Sequence, residues 1–206
     1  TCLRWKLVID AMFKNKSKVL IATGYPFEMG QITEVIDLIN QDSKGFKDDL
    51  AGRYGAVGGL VQNVPVICGG ENAYSNKFQD GFIIGLPHST KFQMMEKRFD
   101  AASVVLNDSI LWVVGGENRS CNLKSTEFIS IGQSAPIKGP DLPFSLSGHS
   151  IIHINPTCIF IIGGVLNDLT SNKTWIVDPT NNFHIKEGPS LNIARSNHCL
   201  LYTSPS

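Results

Sequence analysis

The chain has 206 residues, is 42% hydrophobic and 17% charged, and sets 18 Lys+Arg against 18 Asp+Glu. This is ordinary globular composition, and a balanced charge gives no global attraction to nucleic acid or an anionic membrane. The longest apolar runs, such as CIFIIGGVL, reach about half of the roughly 20 residues that span a bilayer, so no membrane span is expected.

In chain order, one pattern returns. An apolar run ends in a glycine mark: LIATGY at Gly24, VICGGEN at Gly69 and Gly70, VVGGEN at Gly115 and Gly116, IIGGVLN at Gly163 and Gly164. Gly24, Gly70, Gly116 and Gly164 are separated by 46, 46 and 48 residues. After each mark comes a second β-branched or aromatic run: TEVIDLI, DGFIIGL, STEFISI and KTWIVDP. A shorter piece follows (GFKDDL, KFQMM, APIKGPDL, FHIKEGPSL), and then a strand leads toward the next mark (RYGAVGGLVQN, RFDAASVVLN, LSGHSIIHIN, RSNHCLLY). The best helical candidate, QITEVIDLIN, stands where the other repeats carry strands, so it too is read as strand.

A period of this length, filled with short strands and Gly, Asn, Asp and Pro turns, predicts a repeat architecture. One four-stranded sheet cannot bury both of its faces alone, so the units stack, and radial stacking makes a β-propeller. The repeats are placed at 6–52, 53–97, 98–145 and 146–194, with the start of a further blade at 195–202 and a non-native tail at 203–206. The glycine pairs are expected to end strands in positive-φ turns and to let backbone approach a neighbouring aromatic ring.

The glycine mark, the Arg that opens the following strand (Arg53, Arg98, Arg195) and the aromatic on the third strand (Phe82, Phe128, Trp175) together resemble the kelch repeat. The resemblance runs from about Lys6 to Tyr202, with departures at Thr23, Val35 and Leu146. It implies an all-β, kelch-type β-propeller fragment of about four four-stranded blades plus the start of a fifth. It also implies that the chain is part of a larger ring, since such propellers close with more blades.

No residue pattern predicts a catalytic site, a cofactor or a metal. The five cysteines form no CxxC, and Cys68 and Cys199 read as buried small hydrophobes inside apolar runs. His149 and His198 recur in one slot of successive repeats, which reads as structural. On an extended strand His149 and His153 are too far apart to share a metal ion. GRYGAVGG leads into no helix and so lacks the phosphate-binding context. Acceptor sequons stand at Asn15, Asn107, Asn118 and Asn172, and the compartment stays open between cytoplasmic and secreted.

What remains is surface. Loops after the glycine marks vary while their flanking strands repeat, which suits a rigid scaffold that displays recognition loops. The kelch resemblance implies that these loops and the strand openings form a protein-binding face. By position that nominates Tyr25, Glu28, Glu71, Asn72, Tyr74, Glu117, Asn118, Arg119, Asn167 and Asp168, with Asp100 and Asn197 at strand openings. A protein partner is expected, in a chain that serves as a scaffold or part of an adaptor. The alternative is a propeller enzyme acting on carbohydrate.

Overall fold

The computed structural model describes residues 7–9, 18–22, 32–47, 52–72, 74–84 and 89–200. Gly24, Tyr25, Glu28 and the tail 203–206 lie outside them. The first sheet holds β1 (Leu7–Ile9), β2 (Lys18–Ala22), β3 (Ile32–Asp37) and β4 (Asp42–Lys47). The second holds β5 (Tyr54–Val61), β6 (Val64–Glu71), β7 (Asp80–Ile83) and β8 (Thr90–Gln93). The third holds β9 (Ala102–Leu106), β10 (Ile110–Val114), β11 (Thr126–Ser130) and β12 (Ile137–Lys138). A short β13 (Leu146–Ser147) precedes β14 (Ser150–Asn155) and β15 (Cys158–Ile162); then come β16 (Val165–Leu166), β17 (Leu169–Thr170), β18 (Thr174–Asp178) and β19 (His184–Glu187).

Four antiparallel four-stranded sheets result, each ordered as the chain runs: β1-β2-β3-β4, β5-β6-β7-β8, β9-β10-β11-β12 and β14-β15-β18-β19. They are four blades of a β-propeller, and the described residues contain no helix. The first strands β1, β5, β9 and β14 neighbour one another from sheet to sheet, so they are the innermost. A fifth, three-stranded sheet, β13-β16-β17, caps one end of the fourth blade.

The sandwiching of sheets explains why the second strands read as unbroken apolar runs. On β10, Leu111 and Val113 join a core with Val61, Val66, Cys68 and Met94 of the second blade. Trp112 and Val114, on its other face, join a core with Leu146, Ile159, Ile161 and Trp175 of the fourth. Alternate side chains point to opposite faces, and both faces meet another blade. Cys68 is fully buried there, and burial pushes its thiol up to about 12, which makes it inert.

Two expectations need correction. Residues 195–200 form no strand, and Cys199 is exposed rather than buried. A first strand is held by its ladder to a second, and among the described residues nothing pairs with this one. The register also regroups the third-strand aromatics. Phe82 pairs with Ile67 and Trp175 with Ile161, each three residues before the second glycine, whereas the residue paired at that place in the third blade is Glu127, opposite Val113. Phe128 lies one residue along, on the other face, against Trp112 and Phe183.

Candidate interaction face

The glycine pairs couple one blade to the next. The first glycine of each pair has φ of +70° (Gly69), +57° (Gly115) and +61° (Gly163), and a β-carbon there would lie 2.3–2.6 Å from the carbonyl oxygen of Arg98, Leu146 or Arg195. The second glycine donates its N–H to that same oxygen: Gly70 to Arg98 at 2.7 Å, Gly116 to Leu146 at 2.9 Å, Gly164 to Arg195 at 2.9 Å. One glycine makes room and the other makes the bond. The close approach is therefore to the backbone of the following repeat, not to an aromatic ring.

Two residues after each opening position the chain again turns left-handed, at Gly55, Asp100, Gly148 and Asn197. Gly, Asp and Asn are the types that tolerate this region. Their backbones join hands from blade to blade: Asp100 N–H to Gly55 O (3.2 Å), Gly148 to Asp100 (2.8 Å), Asn197 to Gly148 (2.7 Å). The segment after Arg195 thus makes the same bonds to the fourth blade that Arg98 and Leu146 segments make to theirs.

Two of the opening arginines, Arg53 and Arg98, are buried and hold their own blades, whereas Arg195 is exposed. Arg53, fully buried, donates to Gly69 O and to the Asp80 carboxylate at 2.9 Å and lies over the Phe78 ring. Burial raises the Asp80 carboxyl, but hydrogen bonds and charge from Lys91 and Arg53 outweigh it and hold it below the usual carboxylate value. Arg98, 1% exposed, donates to Gly115 O, to Ser125 and twice to Glu127, at 3.0 and 2.9 Å. Where Leu146 replaces the arginine, the residue at the Glu127 place is Trp175, and the two share a core. Sequence reading missed Asp80 and Glu127. Their signal was available: an acid follows Arg53 by 27 residues and Arg98 by 29, and none stands at either spacing after Leu146.

Among the described residues, the strand openings and glycine marks of the second, third and fourth blades fall at one end of their sheets, so Glu71, Asn72, Tyr74, Glu117, Asn118 and Arg119 follow those marks on one rim. Glu71 is buried there and accepts a hydrogen bond from the Tyr54 hydroxyl. Asn72 accepts from the N–H groups of Tyr74 and Asn76, both at 3.0 Å, and Asn118 likewise from Ser120 and Cys121. That is the physical use of the Asn in both GGEN motifs: its amide pins the turn that follows. Asn118→Ala should cost about 1 kcal/mol, as loss of a helix cap does, visible as a small drop in urea midpoint.

The turns of the second and third blades are tied together. Lys77 forms an ion pair with Glu117 and donates to Asn118 O at 3.2 Å, while Arg119 donates to Asn76 Oδ1 at 2.6 Å. Tyr74, on the pinned turn, is 85% exposed. Asn167 and Asp168 stand apart, at the two-residue tip between β16 and β17, with φ of +50° and +62°. Asn-Asp suits the primed turn that such a hairpin needs. Asp100 and Asn197 belong to the backbone ring described above.

This arrangement has a counterpart among solved structures. The fold is shared with YjhT. The structure described as "Structure of YjhT" matches with a TM-score of 0.69 at 12% identity, over 87% of this chain and 64% of that one. The chain thus spans less than two thirds of YjhT's length, and at that identity the likeness is one of fold. No family model matches the sequence, and no curated protein sequence matches it.

Proposed function

We propose that the chain is a kelch-type protein-binding scaffold, in which stacked blades supply rigidity and the rim of Tyr74, Asn76, Arg119 and Asn118 engages a protein partner. One observation carries this reading. Tyr74 is exposed to 85% on a turn whose backbone Asn72 already holds, and Asn76 of that turn is bridged by Arg119 from the next blade. A large apolar ring offered from a pre-ordered turn costs little further ordering on binding, and Tyr and Arg dominate interface hot spots.

A photo-cross-linking residue at position 74 should give a discrete protein adduct, whereas the same probe at the exposed Ile137 of β12 should not. Tyr74→Ala should weaken capture of that protein by roughly thirtyfold, the size of a 2 kcal/mol hot spot. Its stability should stay within about 0.5 kcal/mol of the parent, as for other exposed substitutions. Equal labelling from both positions, or capture indifferent to Tyr74, would sink the reading.

A further inference from the structure

The third residue after each opening position is Ala56, Ala101, His149 or His198. The side chains at this slot begin against the second glycine of their own blade: Ala56 at Gly70, Ala101 at Gly116, His149 at Gly164. The histidine rings then reach back to the first glycine of the preceding blade, His149 Cε1 beside Gly115 and His198 Cε1 beside Gly163. Where Ala101 is too short to do this, Met94 Cε lies beside Gly69 instead. The junction of the second and third blades is therefore apolar at this point. That of the third and fourth is closed by an imidazole.

His149 is 5% exposed, and among the described residues neither of its nitrogens, nor either nitrogen of His198, has a hydrogen-bond partner. A neutral ring tolerates this at a cost, and a charged one far less. Glu117 and Lys124, next in the chain to Gly116 and Leu123 of this junction, are engaged elsewhere, Glu117 with Lys77 and Lys124 with Asp141, and Asp100 meets Gly148 through its backbone oxygen. After desolvation, the influence on His149 comes from His198 and that on His198 from Arg195, so among the described residues no anion compensates a proton on either ring.

We propose that His149 makes the junction of the third and fourth blades acid-labile, releasing the opening segment Leu146–His149 and the paired β16–β17 hairpin while the second and third blades stay joined. The sign follows from burial. Desolvation, then His198, pushes His149 down to about 3, whereas in an opened, hydrated junction it returns to about 6.5. Between these values the open state binds more protons. The closed junction is fully favoured above pH 6.5 and loses ground as pH falls toward 3.

Native-state hydrogen exchange on the intact chain tests this without any variant. The amides of Gly116 and Gly148 cross the junction of the third and fourth blades, bonded to Leu146 O and Asp100 O, and that of Gly70 crosses the junction of the second and third. With the intrinsic exchange rate divided out, the opening constant at Gly116 and Gly148 should rise roughly thirtyfold between pH 7.5 and pH 5, through His149. Gly70 should not follow. His149→Ala, which copies the residue at positions 56 and 101, should flatten the rise. The proposal is overturned if the three amides share one pH course in the parent chain, or if the steep rise survives in the His149→Ala variant.

Discussion

Glu127→Ala is expected to lower stability by about 3–5 kcal/mol, the range for breaking a buried ion pair. Glu127 is 1% exposed and accepts four hydrogen bonds: from Nε and Nη2 of Arg98, and from the backbone N–H groups of Met95 and Glu96. Removing it leaves the buried Arg98 guanidinium without its carboxylate, with only Gly115 O and Ser125 still accepting from it, and two part-buried amides without their acceptor. Against a typical total of about 5–15 kcal/mol, that brings the chain to the margin of folding. The urea midpoint should fall with the slope of the transition unchanged. Removing both charges should hurt less than removing one, because the cost lies in the orphaned partner. Arg98→Met with Glu127→Leu should therefore be more stable than Glu127→Ala. The chain already contains an apolar solution at the next junction, in Leu146 and Trp175. A double variant as unstable as the single one would show that the cost does not lie in the orphaned arginine.

Gly115→Ala should be comparably damaging although it adds one methyl group. The new β-carbon would sit 2.3 Å from Leu146 O, at φ +57°. A left-handed L-residue costs about 1–2 kcal/mol and overpacking a further 1–3, so roughly 2–5 kcal/mol is expected. The displaced carbonyl would also lose the Gly116 N–H. Gly116→Val, at φ +91° and 2.8 Å from Phe99 O, should behave likewise. Gly132 provides the comparison: its φ is +86°, but nothing lies within 4 Å of its β-carbon position. Gly132→Ala should therefore show the backbone strain alone, about 1–2 kcal/mol. Equal thermal shifts for Gly115→Ala and Gly132→Ala would mean that the approach of the next repeat is unimportant to the fold.

The contrast between these glycines marks what could be read from the chain and what could not. The spacing of Gly24, Gly70, Gly116 and Gly164 made the repeat legible, because each blade needs the same four strands and the same exit. The strand reading of QITEVIDLIN holds, with β3 at Ile32–Asp37, because its place in the period outweighed its helical look. What the glycines do was less legible. Their contact is with a backbone carbonyl some thirty residues downstream, and carbonyls leave no trace in side-chain chemistry. The Asp80 and Glu127 partners were obscured differently, since the acid moves by two positions between blades while staying on one face of the third strand. On the rim, position alone nominated both Glu71 and Tyr74, yet one is 6% and the other 85% exposed. Sequence gives a rim address. The hydroxyl of Tyr54, which draws the Glu71 carboxylate inward, is a fact of packing.

The couplings of Gly70 with Arg98, Gly116 with Leu146 and Gly164 with Arg195 set the repeat out of phase with itself. The second, third and fourth sheets are each closed within one stretch of sequence, yet the final hydrogen bond of each is supplied from the next. Excising one whole period would rejoin a glycine pair to an equivalent opening carbonyl and leave every donor served. Excising half a period would strand one. Gain and loss of sequence in such a molecule are thus constrained to whole steps, and tandem duplication is the change of length that its backbone can absorb.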